Sequence, residues 1–404
     1  MHFEGLYSVI IHIYLDYKIF TSIFGKKIVS MIKRALQSTI EHKMFQGKAI
    51  ILVGSRQTGK TTLLNMIAEK QSQPVLFWNC DEPETRDLLT NTNTSELKLA
   101  IGEHKIIIID EAQNVDNIGL TLKLIVDNFK DIQILATGSS SFDLRNRLNE
   151  PLTGRKWEYQ LFPISSAELI TSKGLLEEKR LLESRLIFGS YPDIIMQQKN
   201  AKELLLNLAG SYLYKDILSL EDIRKPVILD KLLIALALQT GSEVSYNELA
   251  KTVQADSKTV EKYIDLLEKC YVIFRLHAFS RNLRNELKKS RKIYFCDTGI
   301  RNAILQNFTP LNLRQDVGAL WENFFIAERI KRNHYNQHHA RFYFWRTIQQ
   351  QEIDYIEESD GQITAFEIKW NENKKVKFPA SFTSAYPVKE TIVVTPNNYL
   401  ENLL

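Results

Sequence analysis

A chain of 404 residues exceeds what one hydrophobic core serves, so about two to four domains are expected; 44% apolar and 25% charged residues are ordinary for a soluble globular protein. A net charge of +4 compels no global attraction to nucleic acid, so any such case rests on local patches. Cys80, Cys270 and Cys296 are odd in number, widely spaced and without a C-x-x-C pair, which argues against a disulfide framework or a cysteine zinc site and for a reducing, cytoplasmic compartment.

Residues 6–15 are apolar but short of a bilayer span, and Asp16 and Lys18 break the run. The basic start and small-residue cleavage site of a signal peptide are missing. Residues 1–30 are therefore expected to be an extension whose start was assigned too early, with a peripheral membrane anchor as the alternative and no stable membrane insertion.

The run 49–53 is wholly apolar and reads as a buried strand, while residues 62–70 read as a helix. Between them Gly54, Ser55, Arg56, Gln57, Thr58, Gly59, Lys60 and Thr61 spell G-x-x-x-x-G-K-[ST], and Thr62 extends the set. Glycines let the backbone fold around anionic oxygens, and the loop N–H groups aim positive partial charge at them. Lys60 is expected to reach the β/γ-phosphates of ATP and Thr61 to ligate Mg²⁺, so these nine residues form the candidate nucleotide site.

A second strand at 74–78 ends in the acidic turn 80–83. The apolar strand 105–109 then runs into Asp110 and Glu111, as at the ligand-facing end of a parallel sheet. Asp110 is placed to hold Mg²⁺ through water, and Glu111 to take a proton from attacking water; with Lys60 it is a catalytic candidate. The inserted strand marks the P-loop class that uses such a glutamate. A strand at 132–136 leads to the turn 137–141, where the hydroxyls of Thr137 and Ser139 are candidates to sense the γ-phosphate.

The phosphate loop 54–62, the Ile-Asp-Glu-Ala-Gln run 109–113, the turn 137–141, and Leu152-Thr-Gly-Arg155 followed by residues 161–169 together resemble the archaeal- and bacterial-type AAA+-like ATPases whose ATPase module is fused to a C-terminal domain of unknown function. The likeness spans nearly all of residues 31–404. It implies an AAA+-like core over 31–165, ATP and Mg²⁺ as cofactors, and a homo-oligomer in which an arginine before the last sheet strand reaches a neighbour's γ-phosphate. Arg155 occupies that place and would stabilise charge in the loose phosphoryl transition state. A local ion pair is the alternative, and Arg145 and Arg147 are rivals.

Helical patterns at 166–173, 175–188 and 201–217 carry apolar residues at three-to-four spacing, as in a helical lid over 166–225. From 226 to 300 a helix at 227–239, a helix with Ser245 and Glu248 spaced as a capping box, a helix at 257–270 led by Ser257, and strands at 271–276 and 292–296 read as a winged helix. Residues 257–270 would be its recognition helix. The loop 281–292 holds six basic residues against one acid, and Arg281, Arg284, Lys288 and Lys289 are the candidate contacts to double-stranded DNA. Glu261, Asp265 and Glu268 beside Lys258 and Lys262 leave protein packing as the alternative role.

Over 311–404 a helix bearing Glu322 precedes strands at 341–345, 352–356, 363–369 and 391–394. Glu367 and Lys369, two apart, share a face, and Asp354 lies across a hairpin turned at 359–361. This set and element order resemble a PD-(D/E)xK nuclease, in which carboxylates hold Mg²⁺ and the lysine orients water. Ile353 stands where that pattern has proline. His334, His338 and His339 cluster without a matching ligand set and are read as a polar loop.

The fold class expected is α/β: a P-loop NTPase parallel sheet with a helical lid, then a winged-helix unit and a restriction-endonuclease-like domain. The function expected is an ATP-hydrolysing ATPase coupled to a DNA-binding, nuclease-like C-terminal region. The alternative is an ATP-dependent switch that binds a protein partner without cleaving DNA. A P-loop small-molecule kinase is disfavoured by the Asp110–Glu111 pair and the appended domains.

Overall fold

The computed structural model describes residues 32–138, 152–218, 225–280 and 291–404, with backbone alone for 211–218. Residues 1–30 and the expected contacts Ser139, Arg145, Arg147, Arg281, Arg284, Lys288 and Lys289 lie outside the described residues. Five strands, β1 (Ala49–Val53), β2 (Val75–Asn79), β3 (Ile106–Asp110), β4 (Gln133–Gly138) and β5 (Lys156–Gln160), form a parallel sheet in the order β2-β3-β4-β1-β5. Five helices accompany it: α1 (Leu36–Lys43), α2 (Lys60–Glu69), α3 (Pro83–Leu89), α4 (Thr94–Ile101) and α5 (Ile118–Asn128).

Both faces of this sheet are covered. Ile50, Leu52, Ile106, Ile108 and Leu135 pack with residues of α1 and α2, whereas Ile51, Val53, Ile107, Ile109 and Ile134 pack with residues of α4 and α5. Burial on both sides is why β1 and β3 read as unbroken apolar runs instead of alternating ones. Because β4 lies between β1 and β3, the C-terminal ends of those two strands flank a crevice at one sheet edge. Gly54 turns the chain there at φ +150°, where a Cβ would collide with the carbonyl oxygen of Leu161. The Leu161 N–H in turn donates to Val53 O at 2.8 Å, which fixes that close approach.

Beyond β5 come α6 (Ser166–Lys173), α7 (Leu175–Phe188), α8 (Pro192–Met196), α9 (Ala201–Leu218), α10 (Pro226–Leu238), α11 (Tyr246–Val253) and α12 (Ser257–Lys269). The cap of α12 is Asp256, one residue before the expected Ser257, because its carboxylate takes both the N–H and the hydroxyl of Thr259 at 2.8 and 2.6 Å.

A second sheet contains β6 (Glu243–Val244), β7 (Ile273–Ala278), β8 (Arg291–Phe295), β9 (Arg341–Arg346), β10 (Glu352–Ser359), β11 (Gln362–Ile368) and β12 (Val388–Val394), with α13 (Thr298–Ile304), α14 (Val317–Tyr335) and α15 (Ala380–Thr383) around it. Its order is β12-β11-β10-β9-β7-β8-β6. The ribbon of β7 and β8 is thus joined by a third short strand, β6, which precedes α11 and pairs with β8. A parallel seam pairs His277 with Tyr343 and Ala278 with Phe344, so one sheet crosses the boundary expected between residues 300 and 311. Among the described residues no helix is long and apolar enough to cross a membrane.

The two sheets are tied through a buried charge cluster. Arg185 of α7 is fully buried and fills its guanidinium fork: Nε donates to Ser190 Oγ at 3.0 Å, Nη1 to Ser166 Oγ at 2.8 Å and to Glu178, and Nη2 to Glu328 at 3.0 Å and Ile164 O at 3.2 Å. Lys331 pairs with Glu328 at 2.7 Å, balancing two carboxylates with two cations. Burial opposes the Arg185 charge, but Glu178 and Glu328 outweigh it and hold the guanidinium above its ordinary range. Removing one partner strands buried charge, so Arg185→Ala is expected to destabilise the chain by about 3–5 kcal/mol, read from its denaturant midpoint. A midpoint equal to wild type would show the cluster to be expendable.

Candidate functional site

The crevice between β1 and β3 collects most of the residues the first motif singled out. Gly59 at φ +88° precedes α2, and Gln57 also adopts a left-handed backbone at φ 59°. Lys60 reaches back over the loop, donating to Gly54 O at 2.9 Å and Ser55 O at 3.0 Å. Thr58 closes the turn by donating to Ser55 O at 2.8 Å, while Arg56, Gln57 and Thr62 are exposed. Thr61 Oγ1 donates to the Asp110 carboxylate at 2.8 Å, across the gap between α2 and the end of β3.

Thr137, at the end of β4, donates to Asp110 Oδ1 at 2.5 Å and accepts from the Glu111 N–H at 3.0 Å. The expected sensor therefore touches both acidic residues. Glu111 sits at φ 53°, a left-handed conformation that costs about 1–2 kcal/mol for a side chain of this kind. Gln113 donates to its Oε2 at 2.5 Å. Bringing a hydroxyl from α2, a carboxylate from β3 and a hydroxyl from β4 to one point supplies hard oxygens on one side of a phosphate cradle. A Mg²⁺ site that shares its coordination with phosphate oxygens and water needs no more protein ligands than these, so Thr61 and Asp110 fit the ion.

Arg155 is elsewhere. It precedes β5 at the strand-start edge of the sheet, while the phosphate loop follows β1 at the opposite edge, about 16 Å away by strand rise. Its Nε pairs with Asp127 at 2.8 Å. The local ion pair weighed in the sequence is present, and the guanidinium is out of reach of its own chain's Lys60.

Two contacts at the loop escaped sequence reading. Arg34, buried, donates to Thr58 O and Phe162 O, each at 2.6 Å, and pairs with Glu168 at 3.0 Å, so it props the loop from beneath. Tyr191, just before α8, donates to Ser55 Oγ at 3.1 Å. Nothing local marks either residue, because each partner is far away in sequence. His334 of α14 likewise accepts from the Gln160 N–H at 3.1 Å instead of lying in a solvated loop.

The second constellation assembles at the face shared by β8, β10, β11 and α14. Lys369 Nζ lies 2.6 Å from Asp354 and 2.8 Å from Glu367. Glu322 accepts from Tyr294 at 2.5 Å and from Lys292 at 3.3 Å, and Lys292 also pairs with Glu352 at 2.6 Å. Lys292, Tyr294 and Glu352 were not expected here. Period-two spacing puts Lys292 and Tyr294 on one face of β8, but the partner face is visible only once β8 and α14 meet.

Burial, with the Asp354 carboxylate beside it, raises the Glu367 carboxyl to about 7 against the pull of Lys369. Burial also raises Glu322, opposed by Lys292 and helped by Asp354. Lys292 is held above its ordinary range: burial works against its charge, and Glu322 and Glu352 outweigh that. Among the described residues no group of three or more His, Cys, Asp or Glu side chains converges as metal ligands. Here the two ammonium groups bridge the carboxylates, so the arrangement does not fit the metal that the nuclease resemblance implied.

Comparison with known proteins divides the chain into three parts. Residues 46–170 match the family described as AAA domain, and residues 179–311 and 317–403 match two families, each described as a domain of unknown function (DUF8612 and DUF4143). An uncharacterized protein of Mycobacterium tuberculosis is 26% identical over 344 residues, covering 83% of this chain and 74% of the relative. An uncharacterized protein of Methanocaldococcus jannaschii is 24% identical over 347 residues, covering 80% and 75%. A Walker-type ATPase of Pyrococcus abyssi has 18% identity and a TM-score of 0.49, over 68% of this chain and 96% of that one. The fold is a P-loop NTPase-like parallel α/β sheet followed by helices and a second sheet, and the AAA-domain match supports ATP binding.

A carboxyl raised in the folded state keeps a proton that the unfolded chain has already lost. The Glu367 contribution is thus fully present below about pH 4.5 and lost as pH rises toward about 7. Glu367→Gln is expected to flatten the fall of the unfolding midpoint across that window; the same pH slope in both proteins would overturn this assignment.

Proposed function

We propose that the chain hydrolyses ATP at the crevice between β1 and β3 and uses the nucleotide cycle to reposition a DNA-binding C-terminal region. The observation that carries the reading is the run of contacts Thr61–Asp110–Thr137–Glu111, which links the phosphate loop to a carboxylate free of the metal role. Lys60 and the N–H groups of residues 54–62 bind the phosphates, and Thr61 and Asp110 hold Mg²⁺, which neutralises charge developing on them. Glu111 takes the proton of the attacking water once Gln113 releases it. Thr137, with Ser139, reports the γ-phosphate. Arg155 acts only in trans, from a neighbouring copy that draws it away from Asp127.

The lid, 166–225, passes the nucleotide state onward. Tyr191 touches Ser55, the N–H of its neighbour Ser190 donates to the Asp297 carboxylate at 2.7 Å, and Asp297 lies two residues past the end of β8. A change at the phosphate loop thereby reaches the winged-helix unit over 226–300 and the nuclease-like region over 311–404. DNA is proposed to lie along α12 and the loop bearing Arg281, Arg284, Lys288 and Lys289. Support comes from the acids of α12, each of which faces an arginine of the ribbon: Asp265 and Glu268 share Arg275, Asp265 at 2.7 Å, and Glu261 lies 3.9 Å from Arg291. No cleavage step is assigned to the Glu322, Asp354, Glu367 and Lys369 cluster, whose carboxylates are already bridged by ammonium groups. Binding without cutting is the role proposed for it.

Lys60→Ala and Glu111→Gln are each expected to lower phosphate release by about 10²–10⁴-fold, with Glu111→Gln retaining nucleotide binding by calorimetry. Turnover within twofold of wild type in either variant would refute the hydrolytic assignment. Tyr191→Phe is expected to bind ATP yet lose the nucleotide-dependent change in protease sensitivity of residues 226–404; a nucleotide response equal to wild type would break the proposed relay.

A further inference from the structure

The chain leaves β11 at Lys369 and crosses residues 370–379 before α15 begins. This crossing walls a cleft of about 560 Å³ whose floor carries Glu352, Glu367 and Lys369 and whose rim carries Lys374, Lys375 and Lys377. Alternation sets the rim. Val376 and Phe378 are half-buried, Phe378 against the core around Phe382, while the lysines between and before them are exposed. From residue 373 to 389 the sequence has four lysines and no acid. None of the three rim lysines is paired with a carboxylate among the described residues, in contrast to Lys292 and Lys369 just below.

We propose that this cleft binds the phosphodiester backbone of duplex DNA, with Lys374, Lys375 and Lys377 as its phosphate contacts. The inference rests on the reading of the C-terminal region as a DNA binder and adds a site to it, apart from the basic loop at 281–292. Ammonium groups spaced along an open rim act as point charges toward successive phosphates and release counterions, whichever sequence is bound. The floor's charges are already paired among themselves, Glu367 with Lys369 and Glu352 with Lys292, so the unpaired charge that the cleft presents is that of the rim lysines. The wall that positions the rim is anchored by apolar residues, so contact requires no ordering of a loose loop.

The test uses the full chain and a labelled short duplex, with anisotropy measured between about 50 and 200 mM salt. Wild type is expected to bind with a steep salt dependence. The combined Lys374→Gln, Lys375→Gln and Lys377→Gln variant is expected to bind at least about tenfold more weakly and to lose about one unit of log–log salt slope per lysine that contacts phosphate. An unfolding midpoint equal to wild type certifies the fold of the variant. Equal affinity and slope in variant and wild type would sink the cleft assignment while leaving DNA binding by the basic loop intact. No duplex binding by wild type would sink both readings. Lysine-dependent binding to anionic phospholipid vesicles in place of duplex would also overturn the proposal.

Discussion

One desolvated guanidinium holds this molecule together. Arg185 cannot sit in the interior without a full set of acceptors, and the chain supplies them from five places: α7 itself, the first turn of α6, the strand-exit segment at Ile164, the loop at Ser190, and Glu328 on α14. Cations and carboxylates balance two against two, so the cluster tolerates burial but no vacancy. Because those donors and acceptors belong to the segment leaving β5, to α6 and α7, and to α14, their relative placement is fixed by geometry as well as by apolar packing. Neighbouring contacts reinforce the same joint, with Tyr335 accepting from the Phe162 N–H at 3.0 Å and Glu328 accepting from the Ser166 N–H at 2.6 Å.

The first sheet and its crevice were largely legible in the sequence. Wholly apolar runs at β1 and β3, a glycine-bounded loop and an Asp-Glu pair are local signals, and each depends on neighbours within about ten residues. Asp110 and Thr137 could be placed together because parallel βα topology restricts which strand ends meet. The support beneath the crevice was not legible. Arg34 reads as one more surface cation until Glu168, 134 residues on, is seen against it. Tyr191 is 136 residues from Ser55. For Arg155 the position before the last strand was readable, and the alternative of a local ion pair is realised with Asp127, a partner 28 residues away in sequence.

The second sheet shows the same division. Its hairpin, the shared face of Glu367 and Lys369, and the place of Asp354 on the neighbouring strand followed from period-two reasoning along two adjacent strands. The contribution of β8 did not, since Lys292 looked like the tail of a basic loop meant for phosphate. In the fold it turns inward and shares Glu322 and Glu352, which changes the chemistry of the carboxylate group from open metal ligands to bridged ion pairs. A residue's sign of charge was readable; its direction follows from the antiparallel register of β8 on β7, which sets Lys292 opposite Leu276.

The parallel seam between β7 and β9 also dictates an order of events at the ribosome. The strands of the nucleotide sheet are complete once residue 160 has been made, and their pairing needs nothing later. The β7 edge, by contrast, must wait for Tyr343 and Phe344, and Arg185 must wait 143 residues for Glu328. Until residue 328 has been made, Arg185 therefore has Glu178 but not Glu328, and until residue 344 the β7 edge lacks its β9 partner, the kind of unpaired edge that a holding chaperone protects.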